Sequence, residues 1–303
     1  MALLFQGSDH YPGKKYRPVA TIGNFDGLHL GHRKLVEHLL KRAQELEAPS
    51  LIYTFDPPPR LVLQPREAPP RISTLDEKIE GLSEMGVGHI VVETFTTRFG
   101  ARPAEWFVEE VLSQRLRPQA LVVGYDFRYG RGRAGNATSL RAQLPDLPVE
   151  TVEALQLENG CVVASSRIRE AVAEGRMHDA SQLLGRPHRL VGVVVQGDRR
   201  GRSLGFPTAN LVTSAELIPA PGVYAVLCGD RAGVANLGVR PTFDGKRFVI
   251  EVHLFDFEGD LYGQKLVVDF ISRIRPERRF PNSAALAAQI RQDAAEARQL
   301  LVP

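Results

Sequence analysis

Residues 21–32, Thr21-Ile22-Gly23-Asn24-Phe25-Asp26-Gly27-Leu28-His29-Leu30-Gly31-His32, constrain this chain more than any other stretch. An apolar run at 18–22 precedes them and reads as a buried strand. The segment after them sets Leu35, Val36, Leu39, Leu40, Ala43 and Leu46 at helical spacing. Strand, glycine-punctuated turn and helix together present backbone N–H groups and a helix N-terminus to a phosphate. Two histidines, His29 and His32, stand at that entrance. The expectation is a nucleotide site.

A chain of 303 residues is long for one core, so two domains are expected. Hydrophobic content of 43% and charged content of 24% are those of an ordinary globular protein. No window approaches the roughly 18 uninterrupted apolar residues of a membrane span, and no signal-peptide pattern opens the chain. A cytoplasmic protein without a membrane partner is expected. Leu4-Phe5-Gln6-Gly7 resembles the scar of a viral protease tag, so residues 1–15 are left out of the fold expectation. Cys161 and Cys228 fall in different expected domains and read as reduced structural thiols; no zinc-ligand spacing surrounds them. The net charge of +3 indicates little, but basic residues cluster at 128–133, 199–202 and 273–279. Such clusters suit phosphates as well as a solvated face.

Between 18 and 185, apolar runs at 18–23, 50–55, 89–93, 120–124 and 149–152 alternate with helical patterns at 30–47, 75–85 and 103–116. Thr74 and Glu77 spell a capping box, and Pro103 suits a helix start. Alternation of this kind predicts a Rossmann-like parallel sheet with helices on both faces and ligands at the carboxyl ends of its strands. The stiff Asp56-Pro57-Pro58-Pro59-Arg60 reads either as a substrate wall or as a crossover. Past Leu190 the helical period gives way to short runs at 189–196, 207–212, 222–228, 232–238, 248–256 and 265–273. Six short strands predict a small antiparallel barrel or sandwich, and a helix capped by Asn282 or Ser283 closes the chain. The expected domains are 1–185 and 186–303.

In the first half, Gly124-Tyr125-Asp126-Phe127-Arg128-Tyr129-Gly130 ends the fourth run, and Ser165-Ser166-Arg167-Ile168-Arg169 starts a helix with a serine cap. These segments and the first motif suit attack of one phosphate on another, which requires positioning and charge neutralisation more than a protein nucleophile. Histidines at a helix N-terminus, serine hydroxyls and Arg169 are donors of the right kind. In the second half, Gly197, Gly201 and Gly205 would let backbone approach phosphates, with Arg202 and Pro207 alongside. Thr208 and Asn210, two apart in an expected strand, share a face and offer oxygen ligands suited to Mg²⁺. Glu251 shares a strand face with Val249, His253 and Phe255; in a small barrel it could meet a pocket and take a proton from a substrate hydroxyl.

The form Gly23-x-Phe25-Asp26-Gly27-x-His29-x-Gly31-His32, with Gly124-x-Asp126-Phe127-x-Tyr129-Gly130, resembles the FAD synthetase module of the bacterial bifunctional flavin enzymes. In that family the later motif is commonly Ser-Ser-Thr-x-Ile-Arg; here Ala164 replaces the first serine and Ser166 the threonine. Residues 189–303 resemble riboflavin kinase through 205–210, Gly222-Val223-Tyr224, Asn236-x-Gly238-x-Arg240-Pro241-Thr242, Glu251-Val252-His253 and Gly259-Asp260-x-Tyr262-Gly263. The resemblance implies a six-stranded barrel that makes FMN from riboflavin and ATP, and a nucleotidylyltransferase domain that makes FAD and pyrophosphate from FMN and ATP. It implies that Gly23, Asn24, Phe25, Asp26, Gly31, Asp126, Ser165 and Ser166 bind ATP and that His29, His32 and Arg169 are catalytic. Mg²⁺ would be held by Thr208 and Asn210 and met by Asp126, with Glu251 as base and Arg275 and Glu277 beside the flavin.

The rivals are a nucleotidylyltransferase for another phosphorylated small molecule, its barrel serving as a non-catalytic ligand- or nucleic-acid-binding module, and a class I aminoacyl-tRNA synthetase. The second needs a Lys-Met-Ser-Lys-Ser-like loop that this sequence lacks. Small-molecule substrates, no nucleic acid, and a monomer or weak homo-oligomer are expected.

Overall fold

Short runs rich in Val, Ile and Leu are too apolar to face water on either side, and a parallel sheet buries both faces. The first unit is built on that principle. The computed structural model describes residues 2–197, 205–242 and 245–301, divided into units Met1–Ala164 and Ser165–Pro303.

In the first unit, β1 (Leu3–Gln6), β2 (Val19–Ile22), β3 (Ser50–Asp56), β4 (His89–Thr94), β5 (Ala120–Gly124) and β8 (Val149–Val152) form one sheet in the order β1-β4-β3-β2-β5-β8. All neighbouring strands are parallel. A small hairpin of β6 (Arg128–Tyr129) and β7 (Gly135–Asn136) follows β5. Side chains alternate between two cores. Ile22, Tyr53, Leu121 and Val123 pack with Phe107, Val111 and Leu112 on one face. Val19, Ile52, Ile90 and Val122 pack with Val36, Leu39 and Leu82 on the other. Each such fully buried aliphatic side chain stabilises the fold by about 2 kcal/mol. The Thr74 capping box forms as expected: Thr74 Oγ1 accepts from the Glu77 N–H, and Glu77 Oε2 accepts from the Thr74 N–H at 2.8 Å. The expected third helix begins after its cap residue Pro103, and residues Phe107–Leu116 are wound as a π-helix.

Leaving out residues 1–15 proves wrong. β1 runs parallel to β4 with Leu3 opposite His89 and Gln6 opposite Val92. Ser8 is fully buried and gives both its N–H (3.0 Å) and its hydroxyl (2.6 Å) to Glu93, which also accepts from the Tyr53 hydroxyl at 2.7 Å. Whatever its spelling suggests, this segment completes the sheet edge.

The second unit opens with helices Ser165–Glu174 and Met177–Leu184. Ser165 is thus the first helical residue and not the cap before it. Then β9 (His188–Val195), β10 (Ala209–Thr213), β11 (Gly222–Cys228), β12 (Arg231–Thr242), β13 (Gly245–Leu254) and β14 (Lys265–Pro276) close a barrel in the order β10-β13-β12-β11-β14-β9. All pairs are antiparallel. Leu190, Val194, Leu211, Tyr224, Val226, Ile250, Val252 and Phe270 are buried and share the inner face. Helix Ser283–Leu301, capped by the Asn282 side chain on the Ala285 N–H, packs Ala297 against Val223, Ala225 and Val234 of the outer face. The Rossmann-like unit followed by a six-stranded barrel and a terminal helix is the expected fold. Neither cysteine is in a disulfide.

Candidate active sites

The first motif is a turn that only particular residues can make. Gly27 has φ +83° and a Cβ there would stand 2.7 Å from the Ile72 side chain, so glycine is required twice over. Phe25 (φ 49°) and Leu28 (φ 45°) also adopt left-handed backbone, a strained conformation for bulky residues that surrounding packing must hold. Both are buried. Asp26, expected to bind nucleotide, is buried and accepts the N–H groups of Ile72 and Ser73 at 3.0–3.2 Å, tying the turn to the loop before helix Leu75–Glu84. Its visible work is to shape the site.

His29 caps helix Leu30–Glu45: its Nδ1 accepts from the His32 N–H at 3.3 Å. Its proton therefore sits on Nε2, a donor. The His29 and His32 rings stack with centroids 3.6 Å apart. Burial first, then the neighbouring His29 and Lys78, holds the His32 imidazole well below the usual histidine range, so it stays neutral near pH 7. A Cβ on Gly31 would stand 3.3 Å from the His29 ring, tight enough that glycine keeps the stack uncrowded.

Gly23, Asn24, Phe25 and His32 open onto a cavity of about 820 Å³. Its walls carry Phe55, Phe95, Phe99, Trp106, Phe107, Phe127 and Tyr129, and its lining also holds Arg60, Arg102, Arg128 and Arg133. Gly124 and Asp126 line it as well, from the end of β5. Pro59 and Arg60 of the proline-rich segment are there too, which favours the wall reading of that loop. Two enclosed polar atoms of the lining residues, His32 Nδ1 and Asn24 Oδ1, have no hydrogen-bond partner. Buried polar atoms are normally paired, so an unpaired pair beside a cavity fits a ligand's place. Ser165, Ser166 and Arg169 lie at the start of helix Ser165–Glu174 in the second unit.

In the barrel, Glu251 is paired in register with Asn210 of β10 on one side and Asn236 of β12 on the other. It alternates with the buried Ile250 and Val252, so these three polar side chains share the outer face and none points into the barrel core. A Cβ on Gly197 would collide with the Asn210 amide, so the glycine lets that side chain lie flat on the loop. Thr208 falls one residue before β10, and the His253 ring donates from Nδ1 to the Pro207 carbonyl at 2.8 Å, holding the loop to β13. Gly205 has φ +83°. Gly201 and Arg202 lie outside the described residues. Glu277 reaches over Gly238, where a Cβ would stand 2.9 Å from its Oε1. Arg275 instead makes a two-pronged pair with the buried Asp293 (2.7–3.0 Å), which also accepts from Gln289 at 2.7 Å. Among the described residues no group of three or more His, Cys, Asp or Glu side chains is placed to hold a metal.

Comparison with known proteins accounts for both units. The FAD synthetase family model matches residues 12–167 and the riboflavin kinase family model residues 184–301. A bifunctional riboflavin kinase/FMN adenylyltransferase of Escherichia coli K12 is 39% identical over 93% of this chain and 92% of its own. The chain belongs to the bifunctional riboflavin kinase/FMN adenylyltransferase family. A relative of that description from Pseudomonas fluorescens is 40% identical over 94% of this chain and 93% of its own. A solved structure described as a macrolide-efflux protein from Streptococcus pneumoniae superposes with a TM-score of 0.87, at 30% identity over 98% of this chain and 99% of that one. Among the described residues of this family member no helix is long and apolar enough to cross a membrane.

As a family member the chain is a transferase with an FAD synthetase module followed by a riboflavin kinase module. Within the first module sequence reasoning missed the aromatic wall and Lys78, because their residues come from segments distant in the chain. Within the second it quoted Asn236, Gly238 and His253 without giving them roles. The signal was present: each lies in a polar or glycine break within a strand otherwise built of apolar residues.

Proposed function

We propose that this chain converts riboflavin to FMN in its barrel and FMN to FAD in its Rossmann-like unit, using one ATP at each step. The observation that carries the second step is the cavity below the first motif, with stacking surfaces, arginines in its lining and the unpaired His32 Nδ1 and Asn24 Oδ1 among its lining residues. A flat isoalloxazine ring suits the Phe55, Phe95, Phe99 and Trp106 surfaces. The FMN phosphate suits arginines, which match its oxygens in pairs.

An FMN phosphate oxygen attacks the ATP α-phosphorus, a new P–O bond forms, and the bond to the β-phosphate oxygen breaks to release pyrophosphate. His29 Nε2–H, His32, Ser165 and Ser166 offer hydrogen bonds to the transferred group and Arg169 neutralises the charge that spreads over it, while Gly23, Asn24, Phe25 and Gly31 bring backbone close to it. In the barrel, Glu251 takes the proton of the ribityl 5′-hydroxyl as that oxygen attacks the ATP γ-phosphorus and ADP departs. Gly197, Gly201, Arg202, Gly205 and Pro207 hold the phosphates, with Glu277 beside the flavin. Thr208 and Asn210 are neutral oxygen donors that fit Mg²⁺, which keeps most of its ligands as water and phosphate oxygen; Asp126 offers the same chemistry in the other site. Bound there, Mg²⁺ would neutralise phosphate charge. Arg275, two residues before Glu277, is fixed by its pair with Asp293 of helix Ser283–Leu301.

The functional boundary is placed at 185/186, and the enzyme is cytoplasmic, a monomer or weak homo-oligomer, without nucleic-acid partners. Incubation with riboflavin, ATP and Mg²⁺, followed by chromatography of the flavins, tests the central reading. FMN and FAD should both appear. No FMN would remove the kinase step, and FMN without FAD would remove the adenylyl transfer.

A further inference from the structure

A lysine is seldom almost fully buried, because its ammonium must leave water. Lys78 is 5% exposed, on the inner side of helix Leu75–Glu84. Its Nζ lies 3.5 Å from the hydroxyl of Thr54, itself fully buried on β3. The Thr54 hydroxyl donates at 3.3 Å to the carbonyl of Asn24, inside the first motif. The helix carrying Lys78 starts directly after Ile72 and Ser73, whose N–H groups hold Asp26. The lysine is thus joined to the motif turn along two routes, one through a hydroxyl and one through the Asp26 loop.

We propose that Lys78 is a positioning residue for adenylyl transfer, which shapes the Asn24–Asp26 turn through Thr54 and supplies positive charge behind it. The proposal rests on the adenylyl-transfer reading above. The charged groups that act on Lys78 are Asp26 of the turn, Asp56 at the end of β3 and Arg71 of the loop after it. Those that act on His32 are His29 and Lys78 itself. Burial lowers the lysine's proton affinity, while Asp26 and Asp56 partly restore it. A buried cation opposed by two carboxylates suits a site where a more negative charge arrives: nucleotide phosphates gain from it, and its desolvation is already met in the folded protein. It also opposes protonation of His32, adding to the larger effects of burial and of the neighbouring His29.

The test uses the full chain. Lys78→Met should lower kcat for FAD formation from FMN and ATP by about 100-fold, the size expected when a remote group misplaces the reacting ones. Formation of FMN from riboflavin by the same preparation should be unchanged. The acid limb of the FAD-forming pH profile should move to higher pH, and Lys78→Arg should return it. An NMR titration of the imidazoles, with His32 assigned through His32→Gln, should show His32 protonating at higher pH in Lys78→Met than in the parent. A merely structural lysine would lower the melting temperature and leave the titration and the acid limb in place, and that result overturns the proposal. Thr54→Val keeps the cation but cuts the hydroxyl link to Asn24; it should lower kcat without moving the acid limb. An unchanged kcat in Thr54→Val overturns the link even if Lys78→Met does not fold. The titration reads the coupling without turnover, so absence of FAD from the parent would refute the reading of the reaction and leave this coupling to be judged separately.

Discussion

The Nδ1 of His29 accepts the backbone N–H of His32 while the two imidazole rings lie stacked, 3.6 Å between centroids. One histidine therefore caps the helix through Nδ1, stacks on its neighbour and carries its proton on Nε2. The spacing of two residues between them in His-x-Gly-His follows from this: a helix N-cap bonds the N–H three positions on.

His29→Ala should then fail in two ways. It removes a cap, costing about 1 kcal/mol of stability, and it removes the Nε2 donor, lowering FAD formation from FMN. His29→Asn keeps a capping oxygen, so its thermal midpoint should stay near the parent's while FAD formation still falls. Equal activity of His29→Asn and the parent would show that the cap is the residue's whole role.

The chain's single tryptophan, Trp106, lines the aromatic cavity. FMN titrated into the protein should quench tryptophan emission with a saturating curve. Phe55→Ala should shift that curve to higher FMN concentration, by about tenfold if one stacking surface of 1–1.5 kcal/mol is lost. A linear, unsaturable quench would place the flavin elsewhere.

Glu251→Ala should stop FMN formation from riboflavin and leave FAD formation from supplied FMN intact, measured by the same flavin chromatography. Loss of both activities in a folded protein would refute independent sites. Asn236 flanks Glu251 in register, and Asn236→Ala should lower FMN formation by a smaller factor than Glu251→Ala.

Arg275 and Asp293 are respectively 15% and 3% exposed and bind in a two-pronged pair between β14 and helix Ser283–Leu301. Asp293→Ala leaves a poorly solvated arginine without its partner and should cost about 3 kcal/mol. The loss should appear as an earlier unfolding transition by calorimetry, together with weaker riboflavin turnover. A midpoint within a degree of the parent's would show that the helix is held by Ala297 and its apolar neighbours alone.

Acid should destabilise the protein through buried histidines. His188, nearly unexposed inside the barrel and bonded to the Leu217 carbonyl, is pushed down to about 4, mainly by burial. His89, buried beneath Tyr11 and Tyr16, is lowered by the same cause. A depressed histidine binds fewer protons folded than unfolded, so stability falls as pH drops below the unfolded value near 6.5. For His188 the fall continues to about 4 and totals about 3 kcal/mol. Urea midpoints measured between pH 7 and 4 should decline, and His188→Gln should flatten that decline; a parallel decline in the variant would assign it to other groups.

Much of this was readable from residues in order. The first motif, the alternation of strands and helices, the Thr74 box and the switch to short strands past Leu190 are local patterns, and each rests on backbone geometry set within a few positions. The partners that make a site are not local. Phe55 comes from the end of β3, and Phe95, Phe99 and Trp106 from the connection between β4 and β5; they meet because the parallel sheet brings the carboxyl ends of its strands to one edge. Asp26 and Arg275 look like ligand-binding residues on paper, and in the fold their charges are satisfied by the Ile72–Ser73 backbone and by Asp293. Nor could the spelling of residues 4–7 say that Leu3–Gln6 would be an edge strand, since pairing with His89–Thr94 is a contact between distant segments.

The sequence by itself therefore determined the turn at Gly23–His32, the two fold classes and the family, because local spacing and residue type suffice for these. Only the tertiary structure decided that a buried Lys78 reaches Thr54 behind this turn, that burial holds His32 below the usual histidine range, and that Glu251 stands between Asn210 and Asn236 outside the barrel core. Burial and cross-strand register set those properties, and neither exists until distant segments pack.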